Sequence, residues 1–295
     1  MSIKEHPPHH VPVLLGATLE LLNPQEGESY LDLTAGYGGH AEAFLAKTKE
    51  YDRSCLVDRD EFAIEQLGRF DDQGVRIIHD DFVSASQQLV NEKRSFDLIL
   101  VDLGVSSPQL DRAERGFSFK KSGPLDMRMD RRQSVTAASY LNKVKRDELI
   151  RAIKDFGGEN HGVARRYADA IIASRPLRTT DQLAETIVKT HVGGWQKIHP
   201  ATRTFQAVRI AINQELRQIE QVLPLIPALM APGGRVGIIS FHSLEDRLVK
   251  SYFSEQAQSG YESELDLLTK KPRNGTEDVH NPRSRSAKLR VAVKK

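Results

Sequence analysis

Cysteine is almost absent from this 295-residue chain. Cys55 stands alone, which excludes an internal disulfide, a Cys-x-x-Cys redox pair and any multi-cysteine zinc site, including that of the zinc base deaminases. Its place in the apolar run 54–58 predicts a buried strand residue, not a nucleophile. No run approaches the ~18 apolar residues of a membrane span. The opening Met-Ser-Ile-Lys-Glu-His carries no apolar signal core, so a cytoplasmic location is expected. His6, His9 and His10 read as a polar terminus in preference to a metal site, and no metal is expected. A net charge excess is also missing, with 42 basic against 40 acidic residues. The near-cancellation hides an asymmetry. Residues 269–295 hold nine of the basic and two of the acidic residues, a tail of +7 on a body of −5. Such a tail is read as a nucleic-acid contact or as a solvated end.

What is present is an alternation of strands and helices. Residues 30–33, 54–58, 75–79 and 96–101 read as strands, with helical patterns over 41–47 and 62–67 between them. The last of these strands is apolar almost throughout, as a strand covered on both faces should be. The spacing predicts βαβ units and a parallel sheet. From about Pro108 to Pro200 no strand pattern is found; helices are predicted over 137–156, 163–173 and 180–190. Phe205, Val208, Ile212, Leu216, Ile219 and Leu223 then form one apolar stripe of a single long helix. A turn at 231–234, a strand at 235–241, a helix at 244–253, a loop at 269–286 and a last strand at 288–293 complete the chain. The length suits two domains, or one with an insertion. The division expected is 1–107 and 201–295 for the sheet, with 108–200 as an inserted helical substrate-recognition domain.

Ligands of open parallel sheets sit at the carboxyl ends of the strands, near the point where strand order reverses. Four strand ends here carry suitable groups. Asp32-Leu33-Thr34-Ala35-Gly36-Tyr37-Gly38-Gly39-His40 is a glycine loop, but neither G-x-G-x-x-G nor a Walker A sequence. The acid before its glycines disfavours a pyrophosphate and favours a ligand with a positive group. An ordinary tight turn accounts for the segment equally well. Asp58 follows Gly36 by 22 positions, an offset suited to a ribose diol. His79-Asp80-Asp81-Phe82 offers an acid and a ring for adenine, although Phe82 alone reads better as core. Asp102-Leu103-Gly104-Val105-Ser106-Ser107-Pro108-Gln109 places small polar groups after the most buried strand, where loops hold catalytic groups. Together these describe a pocket for S-adenosylmethionine. Asp32 and the incomplete glycine pattern count against a nicotinamide dinucleotide.

Longer motifs carry a resemblance. They include Gly38-Gly39-His40, Asp58-Arg59-Asp60, residues 102–111, Arg115-Gly116-Phe117-Ser118-Phe119 and Gly123-Pro124-Leu125-Asp126-Met127-Arg128-Met129. His199-Pro200-Ala201-Thr202-Arg203-Thr204-Phe205-Gln206 and Ser240-Phe241-His242-Ser243-Leu244-Glu245-Asp246-Arg247 follow in the second half, with residues 10–15 and 281–286 at the ends. The chain resembles the bacterial ribosomal RNA small subunit methyltransferase H family over nearly its whole length. The resemblance implies an α/β class I (Rossmann-like) methyltransferase sheet with an inserted helical domain. It implies S-adenosylmethionine-dependent methylation of a cytidine N4 amine in 16S ribosomal RNA. The partner implied is the small ribosomal subunit, with no membrane; a homodimer is left open. By similarity, Gly38, Gly39, His40, Asp58, Phe82, Asp102 and Gln109 contact the cofactor. Gly16 departs from the family, which usually has an acid there, and residues 156–162 are looser than the family's Tyr-Gly-Glu-Glu segment.

A cytosine amine is a poor nucleophile because its lone pair is delocalised. Acceptors for its N–H groups, and alignment worth about 7–11 kcal/mol in favourable cases, are therefore expected. Ser106 or Ser107 is read as the acceptor, and Asp102 as orienting the cofactor's methionine part or helping with the proton. Phe241 is a candidate to stack on a flipped cytosine. His242 is read as a proton relay or as a helix cap. Arg128, Arg131, Arg132 and the basic tail are candidate phosphate contacts, or solvated charge. A ribosome-assembly factor without catalysis and a nicotinamide oxidoreductase are the competing readings, and titration with each cofactor separates them.

Overall fold

The computed structural model describes residues 12–193, 198–278 and 281–295. His6, His9 and His10 lie outside the described residues. The chain forms two compact units, Met1–Gly104 with Leu216–Lys295, and Val105–Glu215.

The first unit is built on an eight-stranded sheet. Its strands are β1 (Tyr30–Asp32), β2 (Cys55–Asp58), β3 (Arg76–His79), β4 (Phe96–Asp102), β5 (Met230–Ser240), β6 (Leu265–Leu267), β7 (Arg273–Asn274) and β8 (Lys288–Lys294). Their order is β3-β2-β1-β4-β5-β8-β6, with β7 also pairing β8. β3 through β5 run parallel, and β8 lies antiparallel to β5, β6 and β7. This is the expected parallel sheet of βαβ units, and its order reverses between β1 and β4.

Side chains alternate across the sheet, as strand geometry requires. Leu31, Cys55, Val57, Ile99 and Val101 enter one apolar layer, and Tyr30, Leu56, Leu98 and Leu100 the other. Helices cover both layers: α1 (Leu15–Leu22), α2 (Gly39–Thr48), α3 (Glu61–Asp71) and α4 (Phe82–Asn91) come from the first half of the chain. Cys55 is buried in strand β2, in keeping with its apolar surroundings in the sequence.

The second unit is helical: α5 (Ser107–Asp111), α6 (Ala137–Lys143), α7 (Arg146–Asp155), α8 (His161–Ala173), α9 (Thr180–Thr190) and α10 (Ala201–Asn213). Its core includes Leu125, Met129, Leu141, Leu149, Ile153, Tyr167, Ile171, Leu183, Ile187 and Phe205. The helix predicted over 137–156 is broken between α6 and α7, where Val144 turns to ψ 139° and its carbonyl accepts the Arg175 guanidinium at 2.7 Å.

α11 (Glu215–Val222), α12 (Ile226–Leu229) and α13 (Ser243–Gln258) return the chain to the sheet. Here the stripe of six apolar residues is corrected. Gln214 takes the left-handed conformation, φ 51°, and splits the expected helix into α10 and α11. Phe205, Val208 and Ile212 then face the helical core, whereas Ile219 and Leu223 face the sheet. The boundary expected at 200/201 accordingly lies at 215/216, and the one expected at 107/108 lies at 104/105. The turn expected at 231–234 is part of β5 instead, taken up by a register irregularity against Phe96 and Leu98.

Candidate active site

The parallel register sets the positions of the acids. Asp32 pairs with Leu56 and Leu100, Asp58 with His79, and Asp102 with Ile239, so the acids gather at the carboxyl edge around the reversal of strand order.

Asp32 is 1% exposed. Its Oδ2 accepts the Tyr30 hydroxyl at 2.7 Å and its Oδ1 the Thr34 N–H at 3.1 Å. Burial still pushes its pKa up to about 7, those bonds opposing the rise. Asp58 organises the glycine loop: its Oδ2 accepts the Gly36 N–H at 2.7 Å and its Oδ1 the Asp60 N–H at 2.8 Å. Burial raises its pKa as well. Asp102 is tied through its own amide, which donates to the Thr34 hydroxyl at 2.6 Å. Although a quarter of its side chain reaches solvent, its Oδ1 is buried and has no partner. Burial, then the negative charges of Asp32 and Glu245, hold this carboxyl well above the usual range. Among the described residues no lysine or arginine forms an ion pair with Asp32 or Asp102, whereas the positive charge of Arg59 bears on Asp58. Buried acids that lack a counter-ion are a donor set for a cationic ligand.

Gly38 is fixed by the fold itself. It caps α2 at φ 80°, and a Cβ there would meet the Phe70 ring at 2.4 Å; at Gly39 a Cβ would meet Pro12 at 2.7 Å. His40, in the first turn of α2, is buried with neither ring nitrogen hydrogen-bonded, and its Nε2 lies 3.8 Å from Asp102 Oδ2. Burial lowers its pKa to about 4, against the influence of the Val13 main chain, so the ring is neutral at pH 7.

Phe82, at the start of α4, is 8% exposed and packs in the core with Val57 and Ile78. Asp81 caps the same helix, accepting from the Val83 and Ser84 N–H groups. Ser106, Ser107 and Gln109 belong to the helical unit. Ser106 and Gln109 are spent on a capping box at the start of α5: the Ser106 hydroxyl accepts the Gln109 N–H at 3.4 Å, and Gln109 Oε1 accepts the Ser106 N–H at 3.1 Å.

His242 is the N-cap of α13, its Nδ1 accepting the Glu245 N–H at 3.4 Å and its Nε2 lying 3.2 Å from Glu245 Oε1. The cap reading therefore holds for this ring. Glu245 is a residue that the sequence alone does not single out. It is 1% exposed, and its Oε2 accepts the Phe241 and His242 N–H groups at 2.7 and 3.2 Å. The spacing of His242 and Glu245, cap residue and third helical position, is the signal that could find it. The bonds to Glu245 fix the main chain beneath Phe241, whose ring would lie 3.2 Å from a Cβ at Gly104. Arg128 is no free cation: its Nε and one Nη bind Asp126 at 2.6 and 2.8 Å, and its other Nη binds the Arg131 and Gln133 carbonyls.

The family model of the MraW methylase family matches residues 8–295. The chain belongs to the MraW methylase family. It is 46% identical to the ribosomal RNA small subunit methyltransferase H of Acinetobacter baumannii, over 96% of this chain and 97% of that protein. Identity to the protein of the same name from Heliobacterium mobile is 41%, over 97% and 99%. Identity to that of Synechocystis is 44%, over 97% and 93%. Membership makes the chain a methyltransferase.

Proposed function

We propose that this chain methylates the N4 amine of a cytidine in the 16S ribosomal RNA of the small ribosomal subunit, using S-adenosylmethionine. The observation that carries the reading is the buried Asp32 at the end of β1 and, at the end of β4, Asp102 with a buried and unpartnered Oδ1, neither with a lysine or arginine in an ion pair. Membership in the family supports it.

S-adenosylmethionine supplies a methyl group made electrophilic by a sulfonium. Asp32 and Asp102 hold positive charge, the former through the Thr34–Tyr30 frame that fixes its oxygens. Gly38 and Gly39 keep the loop close and free of side chains, with the first turn of α2 behind them. Asp58, whose two oxygens each retain a lone pair after accepting one N–H, receives the ribose hydroxyls. Phe82 supplies an apolar wall for adenine. His40, neutral and buried, orients its ring against Asp102. Asp102, in its ionised form, is the group proposed to take up the proton that the amine releases. Gln109 as a cofactor contact and Ser106 or Ser107 as acceptor for the amine are proposed from their sequence position after Asp102. His242 keeps its proposed relay role only through Nε2, its other nitrogen being used by the cap.

The helical unit is proposed to recognise the RNA. It holds 20 basic and 12 acidic residues, a net +8. No helix among the described residues is long and apolar enough to cross a membrane. Work in the cytoplasm on the ribosomal subunit, alone or as a homodimer, completes the reading. Nucleoside mass spectrometry of small-subunit RNA, treated with the protein and labelled cofactor, tests it. A labelled N4-methylcytidine is the expected product, and its absence from both free RNA and assembled subunits overturns the proposal.

A further inference from the structure

Two of the sequence motifs converge within the helical unit without a part in the chemistry above. Arg115-Gly116-Phe117-Ser118-Phe119 begins a loop anchored at both ends. The Arg115 guanidinium is buried and donates to the carbonyls of Arg128 and Met129 at 3.0 and 3.3 Å. Phe117 enters the core. At the far end, the Gly123 N–H donates to the Thr180 hydroxyl at 3.1 Å, and the Gly123 carbonyl accepts the Thr180 N–H at 2.9 Å. Between these anchors Phe119 stays half-buried, and Lys120 and Lys121 are exposed and make no ion pair.

The second motif meets Phe119 from the other side. The His199 ring lies 4.6 Å from it, tilted by 35°, and the buried Phe205 ring stands edge-on at 4.8 Å. His199 is held in place by its Nδ1, which accepts the Ala201 N–H at 3.2 Å at the start of α10. The result is a half-exposed aromatic pair, braced from beneath by Phe205 and followed by two free ammonium groups. A ring needed only to close the core would not require adjacent unpaired lysines. Aromatic faces beside positive charge are what an unpaired nucleotide recognises: the base stacks and the phosphates meet the cations.

We propose that Phe119 and His199 form a stacking platform for an unpaired base of the RNA substrate, with Lys120 and Lys121 holding the phosphates of the same single-stranded segment. The inference rests on the proposed RNA substrate and adds to it the place where a single strand is gripped. A protein partner is the competing occupant, but the free lysines and the +8 of the unit favour a polyanion.

Fluorescence anisotropy of a labelled single-stranded RNA oligonucleotide, read over a salt series with a duplex of the same length as control, tests this. Phe119→Leu should weaken single-strand binding about ten- to a hundredfold, the loss of one stacked base, without changing the salt slope or duplex binding. Phe119→Tyr should bind like the parent. Lys120→Gln with Lys121→Gln should flatten the slope by about 1.4. Unchanged single-strand affinity in a Phe119→Leu protein that still folds and binds S-adenosylmethionine overturns the platform, as does an equal loss on the duplex. If Phe119→Tyr fails to fold, the ring is a core element and the platform is likewise overturned. If instead the parent protein methylates no small-subunit RNA, it is the proposed function that falls.

Discussion

The two units treat charge in opposite ways. Outside its basic tail the sheet unit carries 13 basic and 26 acidic residues, a net −13, against +8 for the helical unit. The contrast extends to burial. In the sheet unit Asp32 is withdrawn from water without a cation, and Asp102 keeps one oxygen buried and unpartnered. In the helical unit the buried Arg115 binds carbonyls, and the half-buried Arg209 and Arg128 are paired with Glu215 at 2.8 Å and with Asp126. An unpaired buried charge destabilises the protein that carries it, and a ligand that supplies the missing partner recovers that free energy as binding. A paired one stabilises structure and is closed to a ligand. On the proposed function, the sheet unit is organised around an incoming cation. The helical unit offers a polyanion only the cations it leaves unpaired.

The largest expected effect breaks the contrast at Asp102. Asp102→Ala abolishes methylation, read by transfer of labelled methyl to small-subunit RNA, while circular dichroism stays that of the parent. Full activity in that variant would remove Asp102 from the site. Asp32→Asn keeps the shape and removes the charge. It is expected to weaken S-adenosylmethionine binding about 10- to 100-fold by calorimetry, the loss of one charged hydrogen-bond partner. An unchanged affinity would mean that the positive groups are held elsewhere.

Much of this is legible in the sequence, and what is not has a physical reason. The strand ends at Asp32, Asp58 and Asp102 can be read because a parallel strand covered on both faces leaves an unbroken apolar run, and the first acid after it marks the edge. The break at Gln214 cannot. Its left-handed conformation, φ 51°, falls on a residue with no such preference, inside an apolar stripe that continues on both sides at helical spacing. Only the existence of two cores gives the stripe two destinations. Glu245 is hidden because a glutamate in a helical first turn is ordinarily a solvated residue. Asp58 reads as a ligand contact and also turns out to hold the loop, since a carboxylate can accept the Gly36 and Asp60 N–H groups and still offer lone pairs.

A smaller effect sharpens the account of the glycine loop. Gly38→Ala places a Cβ against Phe70 at φ 80°. The variant should lose about 1–3 kcal/mol, seen as a fall of about 3–10 °C in melting temperature. A fall of less than a degree would show that the loop yields easily. The ligand-free protein has a pH dependence of its own. The folded pKa of Asp32 lies at about 7, above its ordinary 3.8, so the folded state binds more protons than the unfolded state between those values. Stability therefore falls as pH rises from about 4 to about 7. Asp32→Asn should flatten that slope in a series of melting temperatures, and an equally steep decline in the variant would assign it to another group.

The smallest effect divides the basic residues of the helical unit into paired and unpaired. Lys143 and Lys145 are exposed with no ion pair, whereas Arg128 Nε and both of its Nη atoms bond within the protein. Replacing both lysines by Gln should flatten the salt dependence of RNA binding by up to about 1.4, at about 0.7 for each phosphate no longer neutralised, with melting temperature unchanged. Arg128→Gln should do the reverse. It leaves the Asp126 carboxylate, 12% exposed, without its partner and so lowers the melting temperature, while the salt slope stays that of the parent. Net charge alone would predict that each substitution counts equally, one unit of +8 removed wherever it is made. A slope that falls with Arg128→Gln as much as with a lysine would restore that simpler view and place Arg128 on the RNA after all.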